Sequence, residues 1–411
     1  MGDHAQSQGS GELTVFDPFA EDFAEDPYPG YAKLRETEPA CEHPLGFWLL
    51  SRYDDVSKLQ RSAHSVDERN LTTLPSWKSD SAELGKENRM LRGLSLVDQD
   101  PPDHTRLRRL VGKAFTRRAV AELEPRVTGL VDAALDRIAE AGRADLVTEL
   151  AFPLPFSVIS QLLGLPEVEH RRLRELTGTL ARGLEPLAAP GVQAEIRAAS
   201  AELTAMIGDL VAWKRGHPGN DVFTALIAAE DDGDVLSEAE LVAQIGFLYV
   251  AGHETTANLI AGGILALLRN PDQLQALRTR PELSTNAVEE LVRYDTPVHL
   301  MRRITTEPLA AQGKVIPPGT WVVACLGAAN RDPRYWGEDA DQLRLDRPDA
   351  HRNVSFGAGA HHCVGAPLAR LEARIAFGRF AQRFRAPVLD DVRWNGRINV
   401  RGVETLSVTV R

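Results

Sequence analysis

Apolar residues recur at helical spacing over most of the chain. From about Pro102 to Phe380, runs rich in Ala, Leu, Arg and Glu are broken by short Pro- or Gly-bearing connections such as Gly164-Leu165-Pro166 and Asn270-Pro271. That pattern predicts a mainly α body. The longest apolar run, roughly Leu241 to Leu268, reads as a buried helix. It is a poor membrane span, because Gln244, His253, Glu254 and Asn258 interrupt it and a bilayer disfavours such groups. Strand-like runs are short: Gly46 to Leu50, Lys314 to Cys325 around the turn Pro317-Pro318-Gly319, and Leu406 to Val410. They predict small sheets beside the helices.

No fixed-period repeat or low-complexity linker follows the first dozen residues, so a loose tail over 1–14 and a single domain over 15–411 are expected. The balance of 43% hydrophobic and 26% charged residues suits a substantial core, and the net charge of −11 argues against a general nucleic-acid or anionic-membrane binder. Three scattered cysteines, Cys41, Cys325 and Cys363, do not form a disulfide framework. Together with an N-terminus that lacks a basic and then apolar leader pattern, they predict a cytoplasmic protein.

Four stretches carry candidate chemistry. In FGAGAHHCVG, Phe356 to Gly365, a lone thiol stands among glycines ahead of a helical run. A lone cysteine is ordinarily packing material. Here Gly357, Gly359 and Gly365 leave room for a flat group, and a helix N-terminus beyond Cys363 would stabilise a thiolate able to bind a metal. A dinucleotide loop would need glycine where His362 stands, and zinc would need ligands spaced two to four residues apart rather than adjacent. In AGHETT, Ala251 to Thr256, a carboxylate and a hydroxyl sit inside the longest helix. Thr255 can bond the preceding turn, and Gly252 tolerates local unwinding there. In ELVR, Glu290 and Arg293 stand three apart, close enough to pair on a helix. In DHTRLRRLVGKAFTRR, helical from Asp103, His104 and Arg108 share one face, while Arg106, Arg109, Lys113 and Arg117 line the other and suit an acidic protein.

Together these stretches resemble the cytochrome P450 family of haem-thiolate monooxygenases, in its soluble bacterial form. FGAGAHHCVG fits the haem loop F-x-x-G-x-x-x-C-x-G, AGHETT the oxygen-activating helix and ELVR the E-x-x-R pair, in the family's order. With the DHTRLRR helix, the Arg303 segment and AANRDP at Ala328 to Pro333, the resemblance covers residue 15 to the end.

The resemblance implies a large helical body around haem b (iron protoporphyrin IX), with small β-sheets. Cys363 would be the axial iron ligand; His104, Arg108, Arg303 and His361 would hold the propionates, and Phe356, Gly357 and Gly365 would pack beside the ring. Glu254 and Thr255 would relay protons during oxygen activation. Glu290, Arg293 and Arg347 would brace the core behind the haem, with Arg344 a competitor for the third place. Asn353 stands where many bacterial relatives carry His, and His299 where many carry Gln. Val250, Ala251, Val298, His299 and Asn399 would meet substrate, in a pocket also walled by Ser65 to Val97 and Leu184 to Val192. A ferredoxin would deliver electrons at Arg106, Arg109, Lys113 and Arg117 of a monomer. The expected activity is insertion of one oxygen atom into a medium or large hydrophobic compound in natural-product biosynthesis. The alternatives are oxidative coupling, cyclisation or nitration on the same fold, and, more remotely, a haem sensor, which would not need the Glu254-Thr255 pair.

Overall fold

The computed structural model describes residue 17 and residues 23–72, 93–165, 170–185, 190–231 and 233–410. The tail 1–14, most of the pocket wall expected between Ser65 and Val97, and 186–189 of the wall expected between Leu184 and Val192 lie outside the described residues. Helices that position the site are α1 (Asp103–Ala114), α2 (Glu124–Ala141), α3 (Pro153–Leu162), α4 (His170–Ala181), α5 (Pro190–Gly216), α6 (Glu238–Arg269), α7 (Ser284–Tyr294) and α8 (Ala366–Arg383).

The expected central helix is α6, 32 residues long. Ser237 starts it with a capping box: its hydroxyl accepts from Glu240 N, and the Glu240 carboxylate accepts from Ser237 N. It stops at Asn270, ahead of Pro271, which opens a new helix over Pro271–Thr279. Leu259, Ile260, Ile264, Leu265 and Leu267 are each no more than 2% exposed. Burial of each contributes about 1.5–3 kcal/mol, so packing rather than propensity holds the helix in place. α8 packs against α6, α2 and α7. Where α6 and α8 touch, the Phe377 ring lies so near Gly263 that a Cβ there would not fit.

One sheet has the order β1 (Ala40–His43), β2 (Phe47–Leu50), β5 (Trp321–Cys325), β4 (Leu300–Ile304). Only β2 and β5 run parallel, with Trp48 opposite Val322, and Arg303 on β4 also lies opposite Val322. A second sheet is ordered β6 (Val388–Trp394), β7 (Val403–Thr409), β3 (Arg143–Asp145). Its β6–β7 connection, 395–402, returns to the site.

The first and last strands expected correspond to β2 and β7. The Lys314–Cys325 run divides into Lys314–Ile316, paired with Leu309–Ala311, and β5. β1, β3, β4 and β6 were not expected. α1 begins at Asp103 as expected but ends at Ala114, and Arg117 belongs to a separate short helix, Arg117–Ala121, capped by Thr116. Among the described residues no helix is long and apolar enough to cross a membrane.

Candidate active site

The loop from Asn353 to Gly365 is folded around its cysteine. Cys363 N donates to Phe356 O at 2.8 Å, and a 3-10 turn spans Gly359–His361. Gly357 and Gly359 have φ of +68° and +67°, in the left-handed region that favours glycine. A Cβ on Gly359 would also come within 3.1 Å of Gln60 O, so this position is closed to larger residues on two counts. The backbone N–H groups of Gly365 and Ala366, at the head of α8, hydrogen-bond the Cys363 sulfur. Cys363 is exposed on one side of the loop. Packing on its other sides raises the thiol pKa, which those N–H groups, Arg108 and Arg370 oppose. The Arg370 guanidinium lies 4.2 Å from the Phe356 ring centre and is held by Glu289 at 2.5 Å.

Beside the sulfur the structure gathers His104 and Arg108 from α1, Arg303 from β4 and His361 from the loop. The His104 and His361 rings are 4.1 Å apart. Arg303 is 4% exposed, and burial lowers its pKa to about 10. Burial lowers that of His361 to about 3, assisted by Arg303, His104 and Arg108. Burial also lowers the pKa of Arg108. His104 Nε2, His361 Nδ1 and Arg303 Nε are buried without a hydrogen-bond partner. Such orphaned donors are costly unless an acceptor meets them. The group is thus a converging, charge-repelling set suited to anionic oxygens.

On α6, Thr255 Oγ1 donates to Ala251 O at 2.8 Å, and Thr256 Oγ1 to Gly252 O at 3.1 Å. The helix accepts these bonds without interruption, so the expected unwinding at Gly252 is absent: the glycine keeps helical geometry with Ile159 packed 3.5 Å from where a Cβ would stand. Glu254 is half-buried. Its carboxylate pairs with Arg397 from the β6–β7 connection, a residue that sequence reasoning did not identify. Burial raises the Glu254 pKa, Arg397 lowers it and nearby Glu185 raises it. Val250 and Ala251 are half-buried on the same helix.

Behind the loop, Glu290 and Arg293 on α7 are both 0% exposed and bound twofold, at 2.6 and 2.8 Å. Arg347 Nε reaches the same carboxylate at 3.0 Å. Arg293 spends its remaining donors on the carbonyls of Asn330, Ala340 and Gln342. Arg344 gives Glu290 only its backbone N–H, while its half-exposed side chain goes to Asp339. The third place in the triad is therefore Arg347's. Asn353 donates to Glu289 Oε2 at 3.0 Å.

Two expectations, those for His299 and Arg106, need correction. His299 does not face a pocket: it is 0% exposed, stacks on Tyr31 and shares a 3.2 Å hydrogen bond with it, and burial lowers its pKa to about 3. Asn399 is half-buried, and its Oδ1 accepts from Leu300 N at 2.9 Å. Arg106 is not part of an open basic stripe, because it pairs with Asp234 and Glu240 and so ties α1 to the start of α6. Arg109, Lys113 and Arg117 are exposed. Val298 is half-buried and bridges to Val400.

Among the described residues no group of three or more His, Cys, Asp or Glu side chains could hold a metal ion by itself.

The description of the cytochrome P450 family matches residues 212–282 and 279–395. Cytochrome P450 107B1 of Saccharopolyspora erythraea is 42% identical, over 97% of this chain and 98% of its own. The cytochrome P450 monooxygenase PikC of Streptomyces venezuelae is 41% identical, over 95% and 92%. Among solved structures, the bacillaene polyketide synthase cytochrome P450 PksS of Bacillus subtilis superposes with a TM-score of 0.86 at 33% identity, covering 96% of this chain and 99% of its own.

Proposed function

The chain belongs to the cytochrome P450 family of haem-dependent monooxygenases, and on that premise we propose that it inserts one oxygen atom from O2 into a medium or large, mostly hydrophobic natural-product precursor. The observation that carries the reading is the convergence of an open Cys363 sulfur, held by two N–H groups, with the orphaned donors of His104, Arg303 and His361. That donor set fits an iron porphyrin: a soft sulfur for the metal, and guanidinium and imidazole N–H donors for two propionates. When bound, haem supplies the redox chemistry and the activation of O2.

The protein's own part is to bind, orient and move protons. Cys363 Sγ would be the metal ligand, with burial disfavouring its anionic form and the Gly365 and Ala366 amides favouring it. His104, Arg108, Arg303 and His361 would bind the macrocycle's carboxylates, and Phe356, which lies under Arg370, would pack beside it. Glu254 takes a proton from solvent once it parts from Arg397. Thr255 Oγ, whose own hydrogen is directed to Ala251 O, keeps its lone pairs open to accept a hydrogen bond and so to hold a proton donor in place. Glu290, Arg293 and Arg347 hold the backbone behind the loop and take no part in the chemistry. Val250, Ala251 and Val298 offer apolar surface to substrate. The association of PksS with a polyketide synthase supports a tailoring role. Electrons would come from a ferredoxin docked at Arg109, Lys113 and Arg117.

The reduced, CO-bound holoprotein should show the long-wavelength Soret band of thiolate-ligated haem, and Cys363→Ser should lose it while still binding haem. A wild-type spectrum without that band, or a variant spectrum that keeps it, overturns the assignment. A screen for compounds that shift the resting iron to high spin then narrows the substrate.

A further inference from the structure

Glu289 and Glu290 are adjacent on α7 and turn to different partners. Glu290 goes inward to Arg293 and Arg347, whereas Glu289 meets α8: its Oε1 accepts from Arg370 Nε at 2.5 Å and its Oε2 from Arg370 Nη2 at 3.2 Å. Two bonds between one guanidinium and one carboxylate fix position as well as charge. A third donor, Asn353 Nδ2 at 3.0 Å from Oε2, fastens the carboxylate to the first residue of the cysteine loop. Asn353 also donates to Ala350 O at 3.0 Å and accepts from Ser355 N at 3.2 Å, so it is held on both sides.

Arg370 is thereby kept over the Phe356 ring, 4.2 Å from its centre, and Phe356 O in turn accepts from Cys363 N at 2.8 Å. Against burial, and beside the amides of Gly365 and Ala366, two guanidinium groups favour an anionic Cys363 sulfur, Arg108 and Arg370. They differ in company. Among the described residues Arg108 has no carboxylate partner and is left to the propionates, while Arg370 has its counterion built in. Glu289 is 8% exposed, and the Arg370 side chain keeps 33% of its surface open. A cleft of about 270 Å³, lined by Arg117, Glu124, Glu289, Arg370, Leu371 and Arg374, brings solvent to that side. Arg374 and Glu124 already pair there at 2.7 Å, so the balance that bears on the sulfur is that of Glu289 and Arg370.

We propose that Glu289 is a positioning residue for electron uptake: it holds the Arg370 guanidinium over Phe356 and offsets its charge, so that the pair, and not Arg370 alone, sets the reduction potential of the bound haem. The inference rests on the reading of Cys363 as the ligand of a haem iron. In the step concerned one electron passes from a ferredoxin to the iron, no bond in the protein breaks and no proton is required. The iron and sulfur together gain one negative charge, which an uncompensated cation nearby would favour and a carboxylate would oppose. Solvent in the cleft screens the pair in part, which holds the effect to about one order of magnitude in the redox equilibrium.

The test is a spectroelectrochemical titration of the haem-loaded protein and of its Glu289→Gln, Arg370→Gln and doubly substituted variants. Glu289→Gln keeps the shape and an acceptor for Arg370 but removes the charge, so it should favour the reduced form roughly tenfold, about 59 mV upward for a one-electron couple. Arg370→Gln, which leaves Glu289 without its cation, should move the balance the other way by a similar factor. The double variant should return close to the wild type. A merely structural role would loosen the loop and move both single variants in one direction; that result, or potentials that all coincide, overturns the proposal. The CO-bound spectra of the same samples separate this inference from its premise. A wild type without the long-wavelength Soret band overturns the ligand assignment and the proposal with it, whereas a wild type that shows the band leaves the potentials to judge Glu289 alone.

Discussion

Thr255 keeps its hydroxyl within 2.8 Å of Ala251 O without disturbing a helix, so it presents an oxygen of fixed position to whatever lies beside α6. Thr255→Ala should leave haem and ligand binding intact and raise the share of electrons released as hydrogen peroxide severalfold, measured as peroxide per NADPH consumed with a surrogate ferredoxin. A wild-type peroxide share would remove Thr255 from proton transfer. At this scale the local motif was legible, because Glu254 and Thr255 are adjacent in sequence. Arg397 was not, since it comes from 143 residues away through a connection whose Asn395-Gly396 pair announces only a turn. His299 was misplaced for the same reason: its partner, Tyr31, is 268 residues earlier and no spacing links them.

Among the elements, α7 contributes a buried ion network whose worth lies in completeness. Glu290, Arg293 and Arg347 are almost wholly buried, and every Arg293 donor is used. Removing one member of such a set leaves uncompensated charge, at a cost of about 3–5 kcal/mol. Glu290→Gln should lower the urea midpoint by a corresponding amount at unchanged slope. Asp339, hydrogen-bonded to Arg344 and Arg347, has its pKa lowered to about 2. A carboxylate depressed in this way stabilises the fold above its unfolded pKa, about 4, and loses that contribution as pH falls through the folded value near 2. Asp339→Asn should thus weaken the protein at neutral pH and lose its effect in strong acid, as read by urea titrations across that range. The Glu290 and Arg293 spacing was visible because both lie on one helix. The carbonyls of Asn330, Ala340 and Gln342 that complete it belong to irregular chain with no periodicity to mark it. β4 was hidden too, for LMRRI does not alternate and its first three residues are only half-buried.

For the molecule as a whole, the net charge of −11 makes a local cationic face more conspicuous to an acidic partner. Arg109→Glu with Lys113→Glu should slow reduction by a ferredoxin at low ionic strength, and the difference should shrink as salt screens it, observed by stopped-flow absorbance. Equal rates at low salt would place the partner elsewhere. The α-rich body was readable from periodicity alone. The strand order was not, because β1-β2-β5-β4 joins segments from opposite ends of the chain through backbone bonds that side-chain patterns do not encode.

Arg106 was expected to greet that partner and is committed inward, to Asp234 and Glu240. Its helix carries His104 and Arg108, and Glu240 opens the helix that carries Glu254 and Thr255. The two helices are therefore pinned to each other at one end by a single guanidinium, as a hinge pin joins two plates.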